Sequence, residues 1–131
     1  MARTTMTRAF AEYGATPVNP RWAVSAISHD GELVVSCWHH CLREENGIHV
    51  YQDSFARWGT NRAGRGLLLR HLNEAFGNGL SVRLVIATTT RRDIPDRGGD
   101  ASLAPKTFST RPELVGRVTS LDQDGFRIEF H

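Results

Sequence analysis

Both cysteines, three of the six histidines and two of the three tryptophans fall within residues 22–41. Thiolate and imidazole bind zinc, and a thiol beside an imidazole can become a nucleophile. Cys37, His39 and Cys41 recur at every second position. On an extended strand they share one face and spread over about 13 Å, too far apart to close a tetrahedron around one ion. The spacing therefore predicts no metal site, and no cofactor is implied. It leaves the cysteines as small apolar core residues, reduced in a reducing compartment. A Cys–His nucleophile also needs a lowered thiol pKa and an orienting third group, and nothing in the spacing provides either.

Two other groups could hold a ligand. Trp22 and Trp38 offer aromatic faces that stack on bases or attract cations. Asn61, Arg62 and Arg65 stand at the expected start of the longest helix, where free backbone N–H groups and the helix dipole favour an anion. Acidic residues normally belong there, so two arginines point to an anionic partner. The phosphate-loop pattern of a nucleotide hydrolase is absent. Arg91 and Arg92 open a second basic stretch that ends at Lys106 and could clamp a phosphate backbone. Fifteen of the sixteen basic residues are arginine, the side chain suited to bidentate phosphate contacts and to stacking.

These residues need elements to position them. Met6, Phe10 and Tyr13 repeat at helical spacing, which predicts a helix over 4–13, capped by Thr4 or Thr5 and closed by Gly14. Pro17 and Pro20 make a connector. Trp22–Ser28 and Leu33–Leu42 read as strands joined at Asp30-Gly31. A two-residue turn there would pair Trp22 with His39 and Val24 with Cys37. It would put Trp22, Val24, Cys37, His39 and Cys41 on one face, and Val34, Ser36, Trp38, His40 and Leu42 on the other. Residues 43–61 read as irregular, with a short edge strand at Ile48–Tyr51. Leu68, Leu69, Leu72, Ala75 and Phe76 form the apolar stripe of a helix over 61–76, stopped by Gly77-Asn78-Gly79. Leu80–Thr88 reads as a central strand buried on both sides. Residues 91–106 read as a charged loop. Leu114–Ser120 and Gly125–Phe130 make a second hairpin, with Phe126, Ile128 and Phe130 pointing inward.

The expected fold class is α+β: a curled, mostly antiparallel sheet of about five strands, a partial barrel, with two helices packed on it. A split-βαβ sandwich is the second choice. At 131 residues the chain suits a single domain. With 40% apolar and 23% charged residues it has ordinary soluble composition. No apolar run spans a bilayer and no signal peptide opens the chain. The cytoplasm is the expected compartment, and no membrane partner is implied. A net charge of +2 does not by itself argue for nucleic acid.

The segments Asn19-Pro-Arg-Trp22-Ala-Val-Ser-Ala26, Leu33-Val-Val-Ser-Cys-Trp38, Val82-Arg-Leu-Val-Ile86 and Asp124-Gly-Phe126 resemble a family of small, uncharacterised bacterial proteins. The resemblance covers most of the chain and implies no activity. Its relatives commonly carry polar, often acidic residues where this chain has His39-His40-Cys41, which counts against general catalytic histidines. More distantly, a curled sheet with aromatics and a basic rim resembles the PUA-like readers of modified bases, including EVE-type domains. The basic helix start and the placement of the aromatics point to a non-enzymatic nucleic-acid or nucleotide-binding module, and the resemblance adds a modified base among its targets. Trp22, Trp38 and His39 would face the base, and Asn61, Arg62, Arg65, Arg91 and Arg92 the phosphates. One alternative is a small metal-dependent hydrolase or nuclease using His39 or His40 with Asp53 or Glu45. Another is a protein-interaction module whose hairpin face is the contact.

Overall fold

The computed structural model describes residues 5–19, 23–55, 62–89 and 106–131. Its order is α1 (Met6–Ala11), β1 (Ser25–Ile27), β2 (Leu33–Trp38), a 3-10 turn (His39–Cys41), β3 (Leu42–Glu45), β4 (Ile48–Ser54), α2 (Arg62–Asn78), β5 (Val82–Thr89), β6 (Lys106–Thr110), β7 (Gly116–Leu121) and β8 (Gly125–Phe130). The class is α+β, as the pattern predicts, with a mixed, mostly antiparallel, unclosed sheet and two helices. The strands number eight, not about five. Their order is β1-β2-β5-β7-β8-β4-β3, with β6 beside β5.

The extra strands come from local chemistry. Residues 42–54 form the β3–β4 hairpin, not an irregular stretch with a short edge strand. Asn46 and Gly47 both have positive φ, 53° and 84°, as a two-residue turn demands, and Asn-Gly satisfies it at the lowest strain. β4 is internal, bonded to β3 and β8, and β3 is the edge. β6, with its polar sequence Lys-Thr-Phe-Ser-Thr, begins at the last residue of the expected loop and fills a stretch to which the sequence pattern assigns no element.

β6 and β7 follow β5 as one bent strand. Two residues of β5 lie between Val82 and Val85, while five lie between their partners Gly116 and Thr110. Tyr13 holds the bend. Its hydroxyl donates to the Leu84 carbonyl at 2.9 Å and accepts from the Arg111 N–H at 3.2 Å. The Arg83 guanidinium lies 4.8 Å from its ring centroid and donates to the Pro112 carbonyl at 2.8 Å.

The sheet curls. Four steps of chain from Trp38 to Leu42 span at most about 14 Å. On a flat sheet β2 and β3, five places apart in the strand order, would lie about 24 Å apart. β5 is covered on both faces, as its apolar run predicts. On one side Met6, Ala9, Phe10 and Tyr13 meet Ala26, Val34, Val85, Ala87 and Phe108. On the other, Leu68, Leu72 and Ala75 of α2 meet Leu33, Val35, Cys37, Leu84, Ile86 and the inward residues of β7 and β8. Thr5 is the cap of α1. α2 runs on through Gly77 and Asn78, and Phe76 is 49% exposed, outside the apolar stripe assigned to it. Among the described residues no helix is long and apolar enough to cross a membrane.

Replacing Tyr13 with Phe removes two hydrogen bonds at the bend and leaves a partly buried N–H without its acceptor. The expected loss is about 1–3 kcal/mol of unfolding free energy, read from urea titration. An unchanged midpoint would show that water replaces the hydroxyl.

Candidate functional site

The β1–β2 register differs by one residue from the expected one. Ser25 pairs with Val35, Ala26 with Val34 and Ile27 with Leu33. Ser28 and Glu32 close the hairpin around His29-Asp30-Gly31, with Gly31 at φ 78°. This is a three-residue loop ending in a left-handed glycine. Val24 therefore stands opposite Ser36, whose N–H donates to the Val24 carbonyl, and not opposite Cys37. Trp22 lies outside the described residues.

A second correction follows at Trp38. The strand stops there, and His39–Cys41 turn in a 3-10 helix closed by the Leu42 N–H on the His39 carbonyl. The alternation of faces ends with it. Cys37, Cys41 and Leu42 all pack against the α2-side core. Trp38 packs partly buried against the α1-side core. His39 is exposed. The straight-strand separation of Cys37, His39 and Cys41 therefore does not apply. Among the described residues no group of three His, Cys, Asp or Glu side chains could hold a metal ion. Trp38 keeps its neighbour His40, with ring centroids 6.1 Å apart and planes inclined at 34°.

Topology places this aromatic pair at a defined end of the sheet. β2 and β5 are parallel, with Trp38 beside Ala87 at their C-terminal ends. α2 belongs to the crossover between them and runs back against β5. At its C-terminal end Leu80 N–H bonds the Ala75 carbonyl, just before β5 starts. Midway, His71 meets Ser25, which is level with Val35 and Leu84. The first turn of α2 thus points toward the end where Trp38, Thr88 and Thr89 lie. In α/β sheets the C-terminal ends of parallel strands are the usual ligand position. Trp38 and α2 flank opposite faces of the sheet there, and the 3-10 turn crosses the end between them.

No acidic residue occupies the first turn of α2. Arg65 is partly buried, with no hydrogen-bond or ion-pair partner among the described residues. Arg8 and Arg70 likewise have no side-chain hydrogen-bond or ion-pair partner among the described residues, whereas Arg43, Arg83, Arg111, Arg117 and Arg127 are committed. Arg127 bonds Glu129 at 2.9 Å, Glu45 at 3.0 Å and Gln52 at 3.1 Å. The Glu129 bond, then the Glu45 bond, holds its pKa above the ordinary value, and the Arg127 bond pulls that of Glu129 down. Arg43 joins the same ladder through Glu45 and Gln52. Arg111 pairs with Glu113, and Arg117 bonds the Gly79 carbonyl and Ser81. Asn61, Arg91, Arg92 and the side chain of Arg62 lie outside the described residues.

One pair escaped the sequence reading. Ser25 Oγ lies 2.8 Å from His71 Nδ1. The partners are 46 residues apart and match no motif. A trace was available: His71 sits at i+3 from Leu68 and i−4 from Ala75, a polar residue inside the apolar stripe. Burial, then the neighbouring Arg70 charge, lowers its pKa; Glu74 opposes them.

No family model, curated protein or solved structure matches this chain.

Because Trp38 is only partly buried, Trp38→Ala should cost less than the roughly 3–5 kcal/mol of a fully buried tryptophan. Thermal unfolding checks this. A loss of the full amount would make Trp38 a core residue and remove it from any binding surface.

Proposed function

We propose that the protein is a non-enzymatic nucleic-acid or nucleotide-binding module whose site is the end of the sheet where β2 and β5 finish. The observation that carries this reading is the partly exposed Trp38–His40 ring pair at the C-terminal ends of a parallel strand pair. A base would stack on Trp38, with His39 and Trp22 beside it. A phosphate would sit at the first turn of α2, held by Arg62, Arg65 and the N–H groups near Asn61. Arg91 and Arg92 would extend the contact along a backbone. Support comes from Arg65, which has no partner among the described residues, in a helix start without carboxylates. A PUA-like architecture and the reading of a modified base belong to the same proposal, as does a cytoplasmic, bacterial setting.

The hydrolase reading gains no comparable support. Glu45 is tied to Arg43 and Arg127, and the Asp53 carboxylate accepts the Ser54 N–H at 2.8 Å.

A salt titration of oligonucleotide and mononucleotide binding tests the proposal. The double variant Arg62→Glu, Arg65→Glu should stay folded and gain slightly in stability, because it places carboxylates at a helix start. Its binding should collapse, and the slope of log K against log salt should flatten by about 0.7–0.9 for each phosphate that is no longer neutralised. Trp38→Ala should weaken binding by about 1–3 kcal/mol with little change in that slope. Unchanged binding in the double variant would move the phosphate site elsewhere, first to Arg91 and Arg92. Wild-type protein that binds no single- or double-stranded ligand at low salt would leave the protein-interaction reading in front.

A further inference from the structure

The Ser25–His71 pair takes no part in the proposed site. Ser25 is fully buried, at 0% exposure, on the face of β1 that meets α2. Its hydroxyl has His71 Nδ1 as its one hydrogen-bond partner among the described residues. A buried hydroxyl proton needs an acceptor. If Nδ1 carried the hydrogen, it would donate to Ser25 Oγ, and the serine's own proton would have no acceptor among the described residues. If Nδ1 is bare, Ser25 donates to it and no donor is orphaned. The geometry thus selects the neutral imidazole with its hydrogen on Nε2. Nε2 is not among the buried atoms that lack a partner, as expected of an N–H in contact with water.

Protonation must put a hydrogen on Nδ1, facing the serine hydroxyl. The bond would have to reverse and strand a proton in the core. We propose that Ser25–His71 is a pH-sensitive latch that holds edge strand β1 on α2 and lets go as the medium is acidified. β1 is suited to release: it has three residues and a single strand neighbour, β2. Letting go uncovers the outer edge of β2. The latch does not depend on what the protein binds.

The charges around His71 agree. On its own helix Arg70 resists a second positive charge and Glu74 favours it, the weaker of the two. β1 presents no ionisable side chain. β2 offers only the Cys37 thiol. Arg117, on the β7 flank of the helix, is held by Gly79 and Ser81. The folded imidazole titrates below its ordinary 6.5. The released state, with an ordinary imidazole, therefore takes up the proton first. The latch is at full strength above that value and weakens as pH falls through the folded pKa.

Two measurements on the intact chain test this. Ring-nitrogen NMR at neutral pH should show His71 as the Nε2–H tautomer. Hydrogen exchange, corrected for intrinsic rates, should show β1 protection falling about tenfold relative to β5 between about pH 7.5 and about pH 5. In His71→Gln that extra fall should vanish. An Nδ1–H tautomer in the wild type, or β1 exchange with the same pH profile in His71→Gln, overturns the latch. Should the glutamine variant not fold, the wild-type tautomer decides alone.

Discussion

Three residues, His39-His40-Cys41, join two strands that stand second and seventh in the sheet order. Most of the architecture depends on that short tether. It prevents the sheet from lying flat, because its reach is smaller than the width of the strands between its ends. A curled sheet has an inside, and α2 fills it. Leu68, Leu72 and Ala75 find apolar partners on β2, β5, β7 and β8 at once because the sheet bends round them. The same tether brings Trp38, His40 and Cys41 to one end of the molecule.

What the sequence made legible followed from period and punctuation. The run Val82–Ala87 reads as doubly buried because no polar residue except Arg83 interrupts it. Arg83 itself lies over the Tyr13 ring and reaches Glu32 and the Pro112 carbonyl. Phe126, Ile128 and Phe130 alternate with Arg127 and Glu129, and the face they bury follows from that alone. The misreadings have equally local causes. Asp30-Gly31 suggests a two-residue turn, but the loop closes one residue earlier, and a one-residue slip exchanges every pairing. Asn46-Gly47 was the stronger turn signal, obscured by the charged residues Arg43-Glu-Glu45. β6 is polar because α1 and β5 cover only part of it. The 3-10 turn at His39 has no signature of its own: the tertiary tether imposes it.

The candidate site was legible as residue types but not as an arrangement. Trp38, His39 and Arg65 attract attention as single residues. Only the parallel pairing of β2 with β5, between segments far apart in sequence, puts the end of one strand and the start of α2 at the same end of the sheet. The arginines show the same limit. Arg43, Arg111, Arg117 and Arg127 look as available as Arg65 in a sequence, yet Arg111 is neutralised by Glu113 two residues on, and the other three bond partners that the fold brings near.

The parallel β2–β5 pair also governs how the chain can assemble. Parallel strands need a crossover, and here it contains β3, β4 and α2. A hairpin alone is marginal in water. Until β5 arrives, Val34 and Val35 of β2 have only β1 beside them, and α1 and α2 lack the central strand they pack on. During synthesis from the N-terminus, α1 and the β1–β2 hairpin must therefore wait, with apolar side chains wet, for residues 82–89 to leave the ribosome. Such non-local closure is slow compared with helix or hairpin formation. The waiting interval, and not the finished fold, is where this chain is most exposed to aggregation.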